Sequence, residues 1–80
     1  MTLLELNSFI ENKCSEVFWY EDCELILFVE FCDLAEFTNM VGYNYLSEGG
    51  VPVSLKSDCI VIDLLSLCEW FYINPLEVQV

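Results

Sequence analysis

The sequence predicts a small α+β domain, an antiparallel sheet packed by helices in the order α-ββ-α-ββ-α. Three observations lead there. Capping signals stand ahead of the helical runs. The β-rich runs come in pairs separated by short polar turns. The chain is 56% hydrophobic and 15% aromatic over 80 residues, which suits one core in a single acidic domain spanning 1–80. Neither a linker nor a low-complexity segment divides it.

The first helix is expected from Thr2 to Cys14. Thr2-x-x-Glu5 is a capping box, in which the threonine oxygen accepts from an orphan N–H and the glutamate reaches back. Leu3, Leu6, Ile10, Cys14 and Val17 recur at helical steps behind it. Val17 to Tyr20 and Cys23 to Phe31 then form two β-rich runs around Glu21-Asp22, which predicts a hairpin. A single helix from Asp22 to Val41 is the competing reading, because Leu27, Phe28, Phe31, Leu34 and Ala35 share a helical face. Asp33-x-x-Glu36 decides for strand followed by helix, since a second capping box stands where the β-rich run stops. Leu34, Phe37 and Val41 continue that helix, and Gly42 is placed to end it as the residue after the C-cap.

A turn-rich stretch is expected from Tyr43 to Gly50, followed by a second hairpin. Its strands are Val51 to Leu55 and Cys59 to Asp63, around Lys56-Ser57-Asp58. Asp63 can cap a third helix with Leu64, Leu67, Cys68 and Phe71 buried, and Asn74-Pro75-x-Glu77 starts one further turn. A weak internal echo appears at an offset of 36 residues, placing Asp22-Cys23 on Asp58-Cys59 and Leu25 on Val61.

Charge narrows the function classes. Fourteen acids face two bases, Lys13 and Lys56, for a formal net charge of −12, and histidine is absent. Direct binding to nucleic acid or to an anionic membrane needs clustered Lys and Arg, so neither is expected. Without histidine or arginine the commonest general base and the common anion clamp are missing, and a non-enzymatic role is expected. No cofactor is expected either: there is no glycine-rich phosphate cradle and no calcium loop of the D-x-[DN]-x-[DN]-G type. The five cysteines, Cys14, Cys23, Cys32, Cys59 and Cys68, are spaced by nine residues or a multiple of nine, without a C-x-x-C pair. They read as buried structural thiols rather than metal ligands. Met1 to Leu6 has no basic segment, and the apolar run Leu25 to Val29 is too short to span a bilayer, so a cytoplasmic protein is expected.

Nine of the acids lie between Glu5 and Glu36, and no base interrupts the sequence between Lys13 and Lys56. Like charges so gathered oppose folding, which a strongly basic partner would offset. The densest cluster is Glu21, Asp22, Glu24, Glu30, Asp33 and Glu36, with Trp19 and Tyr20 beside it as aromatic anchors. On a strand, Asp22 and Glu24 would stand about 6.7 Å apart on one face, close to the spacing of backbone phosphates.

In size, in composition and in the acid series from Glu21 to Glu36, the chain resembles the small acidic proteins with which bacteriophages disarm host defence, including anti-CRISPR and anti-restriction DNA mimics. The resemblance rests on no motif and transfers no site residue. It implies a protein inhibitor, in the host cytoplasm, that binds a basic nucleic-acid-binding effector by mimicry or by allostery. The alternative is a non-catalytic acidic adaptor or small subunit of a basic protein.

Overall fold

Local signals and hydrophobic sidedness build the same architecture in the computed structural model, which describes residues 1–13, 16–21, 23–48, 54–55 and 58–79. Helix α1 spans Leu3–Asn12, and both halves of its capping box form. The Glu5 N–H donates to Thr2 Oγ1 at 3.2 Å, and the Thr2 N–H donates to Glu5 Oε1 at 2.9 Å. The helix stops two residues before the expected Cys14, because Lys13 is already extended. Strands β1 (Glu16–Tyr20) and β2 (Glu24–Glu30) make the first hairpin. Its turn closes through the Cys23 N–H to the Tyr20 carbonyl at 3.1 Å, with Glu21 in the left-handed region at φ 52°. Helix α2 covers Leu34–Glu48; β3 (Ser54–Leu55) and β4 (Cys59–Asp63) form the second hairpin; α3 is Leu64–Trp70. The strand-then-helix reading of Asp22 to Val41 is therefore the one the fold adopts, and the order is α-ββ-α-ββ-α as expected. Val51 to Val53 and the turn residues Lys56 and Ser57 lie outside the described residues.

The sheet is antiparallel throughout, in the order β1-β2-β4-β3, so the two hairpins meet through their inner strands. Registered partners point to the same face. Leu27 stands opposite Val17 and Ile62, and Val29 opposite Ile60. These odd positions of β2 and their partners join Leu6 and Phe9 of α1, Phe37 and Val41 of α2, and Leu64, Leu67 and Cys68 of α3 in one core. Trp19 of β1 packs on that core from its edge. The helices thus cover one face of the sheet. Asn7 adds the C-terminal segment to this layer, donating to the Glu77 carbonyl at 3.2 Å and accepting from the Gln79 N–H at 2.8 Å.

Four expectations need correction. The chain enters α2 through a 3-10 turn, Phe31–Asp33, so helical geometry begins before the expected cap. The Glu36 half of the capping box does not form; its carboxylate pairs with Lys13 instead. Gly42 does interrupt α2, with φ 83° and ψ 167°, but helical geometry resumes and carries Tyr43 to Glu48, where a turn-rich stretch was expected. Finally, Cys23 and Cys32 are exposed, whereas Cys59 and Cys68 are buried, and Cys14 lies outside the described residues.

The echo at 36 residues also fails on sidedness. It overlays Leu25, which faces the helices, on Val61, which pairs with Phe28 on the opposite face. An even offset between strands preserves the side only when their registers agree, and here they differ by one residue.

At the far end of the chain, Asp63 caps α3 as expected, accepting from the Ser66 N–H at 3.4 Å and from the Ser66 hydroxyl at 2.9 Å. Asn74 likewise caps the closing 3-10 turn, Pro75–Glu77, by accepting from the Leu76 N–H at 3.0 Å.

Candidate protein-docking surface

Strand alternation places the even residues of the first hairpin on the face away from the helices. Phe18 stands opposite Ile26, Tyr20 opposite Glu24, and Glu16 opposite Phe28. Across the next seam Ile26 pairs with Asp63, Phe28 with Val61, and Glu30 with Cys59. The result is an apolar centre inside an acidic rim. Phe18 and Phe28 lie ring against ring, 5.3 Å between centroids and tilted by 36°. Phe18, Ile26 and Phe28 are half-buried, Tyr20 is 52% exposed, and Val61 and Cys59 are nearly closed over. The face is therefore most open towards β1. None of these apolar residues belongs to the core on the helix side.

The rim is Glu16, Glu24, Glu30 and Asp63. Glu24 and Asp63 flank a shallow cleft of about 180 Å³ floored by Ile26 and Leu65. Glu24 and Glu30 occupy opposite ends of β2, six residues and so about 20 Å apart. That span brackets the hairpin rather than forming a closely spaced carboxylate row.

The six acids singled out in the sequence divide accordingly. Glu24 and Glu30 share this face, and Glu21 projects from the adjoining turn. Asp22 lies outside the described residues. Asp33 is buried, with only 7% of its surface exposed, and so presents no carboxylate to a partner. Glu36 is exposed, but Lys13 Nζ sits 2.6 Å from its Oε2. The fold thus brings a base to the acid series that sequence separation kept away from it, at a groove between α1 and α2. Exposed pairs of this kind contribute about 0–1 kcal/mol, but they cancel local field. Trp19 lies on the helix side, whereas its neighbour Tyr20 lies on the acid-rimmed face. The residues that sequence reasoning missed are Glu16, Asp63, Phe18 and Ile26. Strand parity was the signal for the two on β1, since Glu16 and Phe18 share the side of the outward Tyr20, whereas Ile26 and Asp63 follow from the strand register.

One further group converges at the end of β2. Ligand atoms of Glu30, Cys32 and Asp33 lie within 4.8 Å of one another, and the Cys32 thiol donates to Glu30 Oε2 at 3.7 Å. That bond links the end of β2 to the 3-10 turn that follows it.

No protein-family model, no curated protein and no solved structure matches the chain. Among the described residues, no helix is long and apolar enough to cross a membrane.

Proposed function

We propose that this chain is a small acidic inhibitor, of the anti-CRISPR or anti-restriction kind, that docks on a basic nucleic-acid-binding effector and blocks its access to DNA or RNA. The observation that carries the reading is the shared face of Glu16, Glu24, Glu30 and Asp63 around Phe18, Tyr20 and Ile26. The carboxylates would take charge-assisted hydrogen bonds from Arg and Lys side chains that otherwise hold phosphates. The exposed aromatic and aliphatic centre would supply the buried contact that a purely ionic encounter lacks. Long-range attraction to the chain's net charge of −12 would accelerate association and make it salt-sensitive.

A second reading draws on the apolar centre itself. Nucleic acid presents no matching apolar centre to the effector, so a sheet face of this composition also suits an acidic adaptor that binds a basic protein without displacing its nucleic acid.

A cleavage assay separates the two. Purified CRISPR effector complexes and restriction enzymes are incubated with the protein, and DNA cleavage and DNA binding are measured together. Inhibition by mimicry requires loss of DNA binding that added DNA reverses. Retained DNA binding in a stable ternary complex supports the adaptor, and no effect on any effector removes the defence-inhibitor reading.

A further inference from the structure

A second surface, on the helix side, combines features that no part of the docking face explains. Beyond the break at Gly42, α2 delivers Tyr45 against the end of α3. The Tyr45 ring meets Trp70 edge-on, with centroids 5.9 Å apart and planes at 73°, and lies 5.8 Å from Phe71. Ser66, with Glu69 and Trp70 three and four residues on, lines an open cleft of about 430 Å³ together with Tyr45 and Tyr72.

Two of these residues contrast in exposure, and one of them is strained. Tyr72 follows the C-cap of α3 and closes a Schellman motif, in which the Ile73 N–H reaches the Cys68 carbonyl at 2.8 Å and the Tyr72 N–H reaches that of Glu69 at 3.3 Å. That position requires the left-handed backbone, φ 56° here, which favours glycine. A tyrosine occupies it with 98% of its surface exposed, so the ring contributes almost nothing to packing. Tyr45 is the opposite case, only 3% exposed, yet it contributes to the lining of the same cleft. Burial, and then the nearby Asp63 and Cys68, raise its pKa, so it stays protonated at neutral pH.

We propose that this cleft receives an arginine side chain from a basic polypeptide. Trp70 and Tyr72 offer ring faces to a planar cation, Glu69 offers a carboxylate, and the Tyr45 and Ser66 oxygens offer acceptors for its remaining N–H groups. A guanidinium uses all three at once; an ammonium is more strongly hydrated and cannot stack. A second copy of this chain is a poor occupant, since two bodies of charge −12 repel. The inference goes beyond the sheet-face reading and stands or falls separately from it.

The test is an NMR titration of the full chain with a Gly/Arg peptide and with its Gly/Lys counterpart of equal charge. The Trp70 indole and Tyr72 ring signals should move while the Trp19 indole stays, and the arginine peptide should bind at least five-fold more tightly. Tyr72→Gly should melt no lower than the parent, because glycine suits the backbone, yet lose at least five-fold in arginine-peptide affinity. Glu69→Gln should lose affinity likewise. Equal affinity for the two peptides, unmoved Trp70 signals, or full affinity in Tyr72→Gly would each overturn the proposal. A Glu16→Gln/Glu24→Gln variant serves as the control for the other surface. Weaker binding in that variant alone would reject the arginine cleft while leaving the sheet-face reading intact.

Discussion

The two faces of β2 differ in what their alternate residues are asked to do. Leu25, Leu27 and Val29 are fully enclosed beneath three helices, whereas Ile26 and Phe28, one residue away in each case, stand half-buried within a ring of carboxylates. Both sides are apolar, so hydrophobicity alone does not separate them. The surroundings do: aliphatic neighbours from every helix on one side, Glu16, Glu24, Glu30 and Asp63 on the other. Among the described residues the helices cover one face of this apolar sheet, whereas Phe18, Ile26 and Phe28 on the other stay half-buried within the acidic rim.

Substitution at neighbouring positions is the sharpest way to break this contrast. Leu27→Ala should cost about 2–5 kcal/mol, the range for a fully enclosed leucine. Ile26→Thr, on the adjacent residue, should cost about 1 kcal/mol or less, the scale of a cross-strand pair. Chemical denaturation of both variants checks the ratio, and equal losses would mean that the outer face is as structural as the inner one.

The covering layer has its own weak point. Gly42 lies in a backbone region that is essentially restricted to glycine, and a Cβ there would meet nothing within 4 Å, so the penalty for alanine is purely conformational. Gly42→Ala should destabilise by about 1–3 kcal/mol. It should also displace Tyr45 from Trp70, which near-ultraviolet circular dichroism would register. A variant as stable as the parent would show that the break in α2 is not required.

The smallest effect concerns titration beneath the helices. Burial pushes the Cys68 thiol up to about 11, and Tyr45 is raised by burial with help from Asp63 and Cys68. A group whose pKa is higher folded than unfolded holds its proton longer in the native state. Its stabilising contribution is complete below the unfolded pKa, about 8.5 for a thiol, and is lost as pH rises through the folded value. Melting temperature should therefore fall between about pH 8.5 and 11. Cys68→Ala should melt lower overall and show a shallower decline. A flat profile in the parent would contradict the burial of this thiol.

Much of the fold was legible because the deciding signals are local. Thr2 and Asp63 cap where they were expected to, and the β-rich runs Val17 to Tyr20 and Cys23 to Phe31 supply the expected hairpin. What escaped was set by tertiary contact. Glu36 left its capping role for Lys13, across a groove between two helices that no spacing rule reveals. Gly42 marked a break correctly, but the helix resumed because Tyr45 packs against α3 residues more than 20 positions further on. The candidate site was half legible for the same reason. A count of nearby acids found Glu24 and Glu30, took in the buried Asp33, and missed Asp63, which only the β2–β4 register brings beside Ile26.

The central claim is that position on the sheet face, and not net charge, directs binding to a basic effector. Two triple variants of equal charge test it: Glu16→Gln/Glu24→Gln/Glu30→Gln on the open face, and Glu11→Gln/Glu48→Gln/Glu77→Gln, all exposed, on other elements. Each removes three of the 14 acids. Affinity for an inhibited effector, measured at matched ionic strength, should drop at least ten-fold in the first and less than about three-fold in the second, a difference of roughly 0.7 kcal/mol or more. Equal losses in the two variants would mean that the effector responds to total charge alone, and that the open face of the sheet is not its docking surface.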